Sequence, residues 1–165
     1  MAIVFIPVIL TNRPFVIVDD DSIHRMLKTK PWEVSVFRIE AFTKQYLISR
    51  FEWNNDTFSK REALLKTLTD EAVFKKLKAS ISSFQSLAQN QKAKCFFTFE
   101  GFGFSNSEKK IVAHISRVLR IGTMAAATPL IVRLTYRESS VSPENPYGLQ
   151  VVGVEEFEET ANEGH

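Results

Sequence analysis

The spacing of the apolar residues changes twice along this chain, and that change restricts the fold more than any other feature. Between residues 59 and 91 the apolar side chains recur every three or four positions, as on one face of a helix. Before and after this stretch they alternate with polar residues, as they do in strands. Strands on both sides of a helical centre indicate the α+β class, in which helices pack on a sheet.

Seven segments have the alternation or the β-branched content that is typical of strands. They are residues 3–10, 15–18, 32–42, 46–53, 93–100, 129–137 and 148–154. The chain has 165 residues, of which 44% are apolar, so it is long enough to bury a core. The prediction is a single α+β domain over residues 1–157, with a mainly antiparallel sheet of about six to seven strands and two to four helices.

Helix starts are predicted from two Ser-x-x-Glu sequences, at residues 59–62 and 105–108, because both match the capping box. After the first start, Leu64, Leu65 and Leu68 are expected to face inward. An apolar stripe of alternating steps of three and four follows, formed by Phe74, Leu77, Ile81, Phe84 and Ala88. The second helix is predicted to run to Arg120 and to close at Gly122. A short helix also fits within residues 19–28.

Charge is distributed unevenly along the chain, although its net value is only +2. Residues 61–120 contain eleven basic and five acidic side chains, whereas residues 121–165 contain two basic and seven acidic ones. Residues 158–165 offer no apolar anchor, so they are predicted to form an acidic, flexible tail. Such a tail could compete with a polyanion for the basic centre, or it could simply keep the chain soluble.

Cysteine content and the amino-terminal residues bear on location. The one cysteine, Cys95, cannot form an internal disulfide, and no Cys/His spacing of a zinc site is present. The apolar run at residues 3–10 has no basic flank and is too short to cross a bilayer. The sequence therefore predicts a cytoplasmic protein, or one inside a host cell if it is viral, with no transmembrane segment, cofactor, metal site or catalytic residue.

The candidate site is a basic helix beside a Phe-rich loop. In the predicted helix after Glu108, Lys110, His114 and Arg117 fall on one stripe. Lys109 and Arg120 flank that stripe, Lys94 precedes the loop, and Phe102 and Phe104 lie in it. The sequence Gly-Phe-Gly-Phe at residues 101–104 resembles part of the aromatic motif of RNA-recognition domains, whose rings stack on bases. Cations together with stacking rings are typical of proteins that bind single-stranded nucleic acid. The alternative without a binding function is a helix whose charged face is solvated and phenylalanines that are buried in the core.

Three functions are therefore considered. The first is an accessory protein that binds single-stranded DNA or RNA through these residues. The alternative is a self-associating interaction or structural protein, of viral or other origin, that pairs as a homo-oligomer through the stripe at residues 74–88. The third is an unrecognised metal-dependent enzyme that uses His24 with Asp19, Asp20 and Asp21, since clustered carboxylates supply oxygen ligands to hard cations.

Overall fold

The computed structural model describes residues 36–159, which all belong to one compact unit. Three helices come first and a four-stranded antiparallel sheet follows, with its strands side by side in chain order. The elements are α1 (Val36–Phe51), α2 (Phe58–Leu68), α3 (Glu71–Gln91), β1 (Lys94–Ser105), β2 (Lys110–Ile121), β3 (Met124–Glu138) and β4 (Leu149–Glu158). The predicted α+β class is thus confirmed, with three helices and four strands in the described residues.

The core lies between the helices and one face of the sheet, which we call the helix-side face. Side chains alternate across a strand, and this face takes Ile111, Ala113 and Ile115 from β2 and every second residue of residues 130–136 from β3, all of them buried. The helices contribute the buried side chains Ile39, Phe42, Tyr46, Leu47, Phe51, Leu65, Leu68, Val73, Phe74, Leu77, Ile81 and Ala88. The stripe of α3 therefore packs within its own domain, with Phe84 half-buried at its edge.

The two strands predicted at residues 32–42 and 46–53 are wrong, because the described part of both belongs mainly to α1. The buried residues Ile39, Phe42, Thr43, Tyr46 and Leu47 fall at helical intervals. Aromatic and β-branched residues are common here and suggested strands, but tertiary packing outweighs that weak preference. The Thr43 hydroxyl donates to the Ile39 carbonyl at 2.7 Å, so the residues between the two predicted strands also lie inside the helix.

The predicted basic helix from Glu108 to Arg120 is also wrong, since residues 110–121 form β2. Residues four apart share a face in a helix and in a strand alike, so Ile111 and Ile115 fitted both. The Ser105 side chain does accept a hydrogen bond from the Glu108 backbone N–H, at 3.3 Å. That bond closes the β1–β2 turn rather than starting a helix.

The other capping box is absent as well. Helix α2 begins at Phe58 after Thr57, whose side chain makes no cap hydrogen bond. Asn54 organises the preceding turn instead, because its side-chain oxygen accepts from the backbone N–H groups of Asp56 and Thr57 at 2.9 and 3.0 Å. Leu64, expected to face inward, is only half-buried, whereas Leu65 is buried.

The sheet has fewer strands than the six to seven predicted. Three predicted strands, at residues 93–100, 129–137 and 148–154, correspond to β1, β3 and β4. The strands at 3–10 and 15–18, the helix within 19–28 and the proposed metal site at Asp19–Asp21 and His24 lie outside the described residues. Glu158 is the last residue of β4, and residues 160–165 of the expected tail also lie outside them. No helix in the described part of the chain is long and apolar enough to span a membrane.

Candidate functional site

The structure divides the predicted basic stripe between the two faces of the sheet. Lys110, His114 and Arg120 point to the face opposite the helices, and Arg117 points to the helix-side face. Lys110 and Arg120 are ten residues apart, which spans about 33 Å in a strand against about 15 Å in a helix. The charges therefore do not form the compact cationic row that the helix interpretation required.

Carboxylates lie beside three of the predicted cations. Lys109 pairs with Glu138 at 3.1 Å, Lys110 with Glu108 at 3.0 Å, and Arg117 lies 3.9 Å from Glu158. These pairs lower the local positive charge that phosphate binding would need. Of the remaining cations, Lys94 is exposed and lies directly across from Arg120 in the register, and the Arg120 side chain donates to the Gly122 carbonyl at 3.2 Å.

The phenylalanines do come together, but not as an open stacking platform. Phe102 and Phe104 stack with ring centroids 6.0 Å apart, and Phe99 lies 6.1 Å from Phe102. All three are half-buried and lie on the helix-side face, and Lys44 of α1 sits over the Phe99 ring at 5.4 Å. A bulge between Phe99 and Gly101 keeps the rings on one face despite the extra residue.

A buried ion pair that the sequence analysis missed joins α1 to β4. The Nε atom of Arg50 donates to a Glu156 carboxylate oxygen at 2.9 Å, and its Nη2 donates to the Ser80 hydroxyl at 3.0 Å. The Arg50 side chain is only 3% exposed, and its guanidinium also lies 5.3 Å from the Phe84 ring. A cation this deeply buried needs its counter-ion, so the contact fixes the end of β4 against the helices.

The loop between β3 and β4 is the most elaborately bonded irregular segment in the described residues. Asn145 is buried, and its amide donates to the Leu149 carbonyl at 2.9 Å and to the Ser139 hydroxyl at 3.3 Å. Its backbone exchanges two hydrogen bonds of 3.1 Å with Ser142. Arg38 of α1 donates to the carbonyls of Tyr147 and Gly148. These bonds hold the loop in one conformation against α1.

Gly148 is required where this loop rejoins the sheet. Its φ is +55°, and an added Cβ would lie 2.8 Å from atoms of both Arg38 and Val141. Both the left-handed backbone and the close approach exclude other residues. The sequence Asn-Pro-Tyr-Gly at 145–148 signalled a turn, but nothing local indicated that Asn145 would be buried or that Arg38, over a hundred residues earlier, would bind the turn.

Reactive groups in the described residues are few. Cys95 is buried, and burial raises the pKa of its thiol to about 11. Burial also raises the pKa of the Tyr46 hydroxyl, which has no hydrogen-bond partner among the described residues. No group of three His, Cys, Asp or Glu residues in the part of the chain that the structure describes is placed to hold a metal ion.

Several solved structures share this fold with the chain. VirB8 from Agrobacterium tumefaciens is 16% identical, with a TM-score of 0.66 over 76% of this chain and 94% of that one. The soluble domain of TrwG, from the type IV secretion machinery of Bartonella grahamii, is 14% identical, with a TM-score of 0.68 over 78% and 98%. The periplasmic domain of DotI is 9% identical, with a TM-score of 0.59 over 78% and 99%. No protein-family model and no curated protein sequence matches the chain.

These comparisons, together with the geometry, overturn the functional predictions. The prediction of a viral or other protein that binds single-stranded nucleic acid is wrong: its basic helix is a strand, carboxylates lie beside three of its cations, and the solved structures named above that share the fold are those of VirB8, TrwG and DotI. The alternative prediction, self-association through residues 74–88, names a surface that is not accessible, because Phe74, Leu77 and Ile81 are buried in the domain.

The predicted location is corrected as well. A cytoplasmic protein, or one in the interior of a host cell, was expected from the lack of a recognisable targeting segment. That expectation is wrong, because the DotI structure with this fold is a periplasmic domain. The second argument for that location, the single cysteine, also fails, because a lone buried cysteine such as Cys95 carries no information about the redox state of a compartment.

Proposed function

We propose that residues 36–159 form an assembly domain of a type IV secretion apparatus, located in the periplasm. One observation carries the proposal: the fold matches VirB8, TrwG and DotI over almost their whole solved domains. A shared fold does not by itself define a function. The support therefore comes from the common description of two separate neighbours, TrwG and an IcmL-like protein of Legionella pneumophila, as type IV secretion components.

The surface of the domain is compatible with protein contacts. Six large apolar side chains of the described residues are at least 43% exposed, and they are spread over five elements: Val36, Phe37, Phe96, Met124, Val141 and Phe157. Exposed apolar side chains that cluster into patches are typical of surfaces that bind other proteins. Phe96 and Phe157 lie on the sheet face opposite the helices, where the half-buried Val118 and Ile131 are their neighbours on the adjacent strands. A domain that is built into a larger assembly would bury such a surface against its neighbours.

Location is tested with alkaline phosphatase, which becomes active only where its disulfides can form. The enzyme is fused to the carboxyl end of the full-length protein and expressed in a bacterium that has a periplasm. We expect high phosphatase activity, and low activity when the same fusion carries no protein upstream of the enzyme. An inactive but intact fusion would contradict a periplasmic location.

Function is tested by deleting the gene in a host that carries a type IV secretion apparatus and measuring substrate transfer. We expect transfer to be lost and to be restored by the wild-type gene. Complementation with Ile115→Asp, which puts a charge into the core, should fail, whereas the matched conservative change Ile115→Val should succeed. Undiminished transfer in the deletion strain would contradict the proposal.

A second readout is affinity purification of the full-length protein from solubilised membranes of that host, followed by mass spectrometry. Known secretion subunits should be enriched with the wild type and with Ile115→Val but not with Ile115→Asp. Enrichment of unrelated proteins alone would count against an assembly role in secretion.

A further inference from the structure

A wide hollow on the described surface lies between the β3–β4 loop and helices α1 and α2. It encloses about 460 Å³ and is open to solvent. A volume of this size accommodates a few side chains rather than a single ion or water molecule. We propose that this groove binds an extended segment of a partner protein that carries an apolar side chain next to a lysine or arginine.

One wall of the groove is the β3–β4 loop. Pro143, Glu144, Pro146 and Tyr147 line it. The two prolines have fixed φ angles, and the hydrogen bonds of Asn145 hold the backbone between them. The Tyr147 ring packs edge-on against Phe42 of α1, with centroids 6.1 Å apart. A wall that is already ordered loses little conformational entropy when a ligand binds.

The opposite wall comes from α1 and α2. Ala63, Leu64 and Thr67 line it from α2, and Gln45 lines it from α1. Leu64 is half-buried and Ala63 is exposed, so together they present an uncovered apolar surface. The Gln45 side-chain amide makes no hydrogen bond to any other described residue, which leaves a donor and an acceptor for the main chain of a bound peptide.

Charge selects the kind of segment that fits. Glu144 is the one charged residue among those that line the groove, and its carboxylate makes no ion pair with any residue from 36 to 159. An uncompensated carboxylate at the groove attracts a cation and repels acidic segments. The apolar lining from Leu64, Pro146 and Tyr147 in turn prefers a side chain such as leucine beside that cation. This inference concerns a peptide-binding surface and does not depend on the secretion assignment.

The test uses the ¹⁵N-labelled full chain and the blocked peptide acetyl-Ala-Leu-Arg-Ala-amide, titrated by NMR. Affinity for so short a peptide is expected to be on the order of 1 mM. The backbone amide signals of Leu64, Thr67, Glu144 and Tyr147 should shift most. Peptides in which the leucine is replaced by glycine, or the arginine by glutamate, should bind several-fold more weakly.

Two variants make the test specific to this groove. Ala63→Trp fills the groove at an exposed position, so it should abolish binding while leaving the melting temperature almost unchanged. Glu144→Lys should weaken the arginine peptide by about three- to ten-fold and strengthen the glutamate peptide. Asp56→Lys is the matched control, because it reverses an exposed carboxylate that does not line the groove, and it should change neither affinity.

Other outcomes would overturn the proposal. Equal binding of all three peptides, or full binding by Ala63→Trp, would show that the groove is not the site. Argininamide alone binding as tightly as the tetrapeptide would indicate a small-molecule site instead. Concentration-dependent shifts of the same four amide signals without any peptide would indicate that a second copy of the chain occupies the groove.

Discussion

The β2–β3 hairpin has two halves that differ only in what lies above them. In the covered half, residues 111–115 and 130–134, every second side chain is buried beneath the helices. In the open half, residues 118–121 and 124–127, the same antiparallel register continues, yet no side chain is buried. The two backbones therefore pair even where no helix packs on the hairpin. Alternating burial along a strand shows which part of the strand the helices cover, and it does not show where the strand begins or ends.

The largest difference between the halves should appear in the free energy of unfolding. Ile115→Ala in the covered half removes a fully buried side chain and should cost about 2–5 kcal/mol. The same substitution in the open half, Ile121→Ala, removes a half-buried one and should cost less than about 1 kcal/mol. Urea denaturation of both variants measures the difference, and equal losses would show that the two halves are equally packed.

Cys95 in β1 lies at the edge of the cover, because it is buried although its register partner, Leu119, belongs to the open half. Burial raises the pKa of its thiol from 9.0 to about 11, so the reactive thiolate forms about 100-fold less at pH 8 than in an ordinary cysteine. We expect slow labelling by a thiol reagent in the native protein, with a rate that increases as the pH rises toward 11. Urea should make labelling fast, whereas immediate labelling without urea would place the boundary of the cover elsewhere.

A substitution at Gly122, in the turn at the end of the open half, changes the backbone strain without changing side-chain packing. Its φ is +59°, and an added Cβ would meet no atom within 4 Å. Gly122→Ala should therefore cost about 1–2 kcal/mol through backbone strain alone. The matched control, Gly103→Ala, has equal space and no left-handed backbone, so it should be neutral or stabilise the strand by about 0.5 kcal/mol. Thermal unfolding of the two variants separates strain from packing.

The smallest effect is expected at the end of the open half. The Met124 side chain is 72% exposed, so Met124→Ala should change the free energy of unfolding by less than about 0.5 kcal/mol. Urea denaturation of the purified protein measures this value. A loss above about 1 kcal/mol would mean that the open half is covered in solution by something that buries Met124.

The contrast between α3 and β2 explains what could be predicted from the sequence. The steps of three from Phe74 to Leu77 and from Ile81 to Phe84 in α3 cannot occur on one face of a strand, so that pattern identified a helix correctly. The spacing of four residues between Ile111 and Ile115 in β2 fits the period of a helix and also that of a strand. Only the isoleucine and valine content of this segment favoured a strand. A pattern is informative only where the two periods disagree.

Contacts distant in sequence explain why the site was less predictable than the fold. Lys109 was counted as a free cation, but its partner Glu138 is brought beside it only when β2 and β3 pair. The groove depends in the same way on Arg38 meeting a turn over a hundred residues later. No local sequence pattern carries information about such contacts. At identities of 9–16% to the solved structures, sequence motifs also do not reveal the shared fold.

The ion pair between Arg50 and Glu156 also bears on the order of events during synthesis. Arg50 lies in the first described helix, and its counter-ion is in the last strand, 106 residues later. Until that strand leaves the ribosome, burying the guanidinium would leave a charge without a partner, at a cost of several kcal/mol. The nascent chain should therefore keep α1 hydrated and unpacked until β4 has left the ribosome, so the apolar side chains of α1 stay exposed until then.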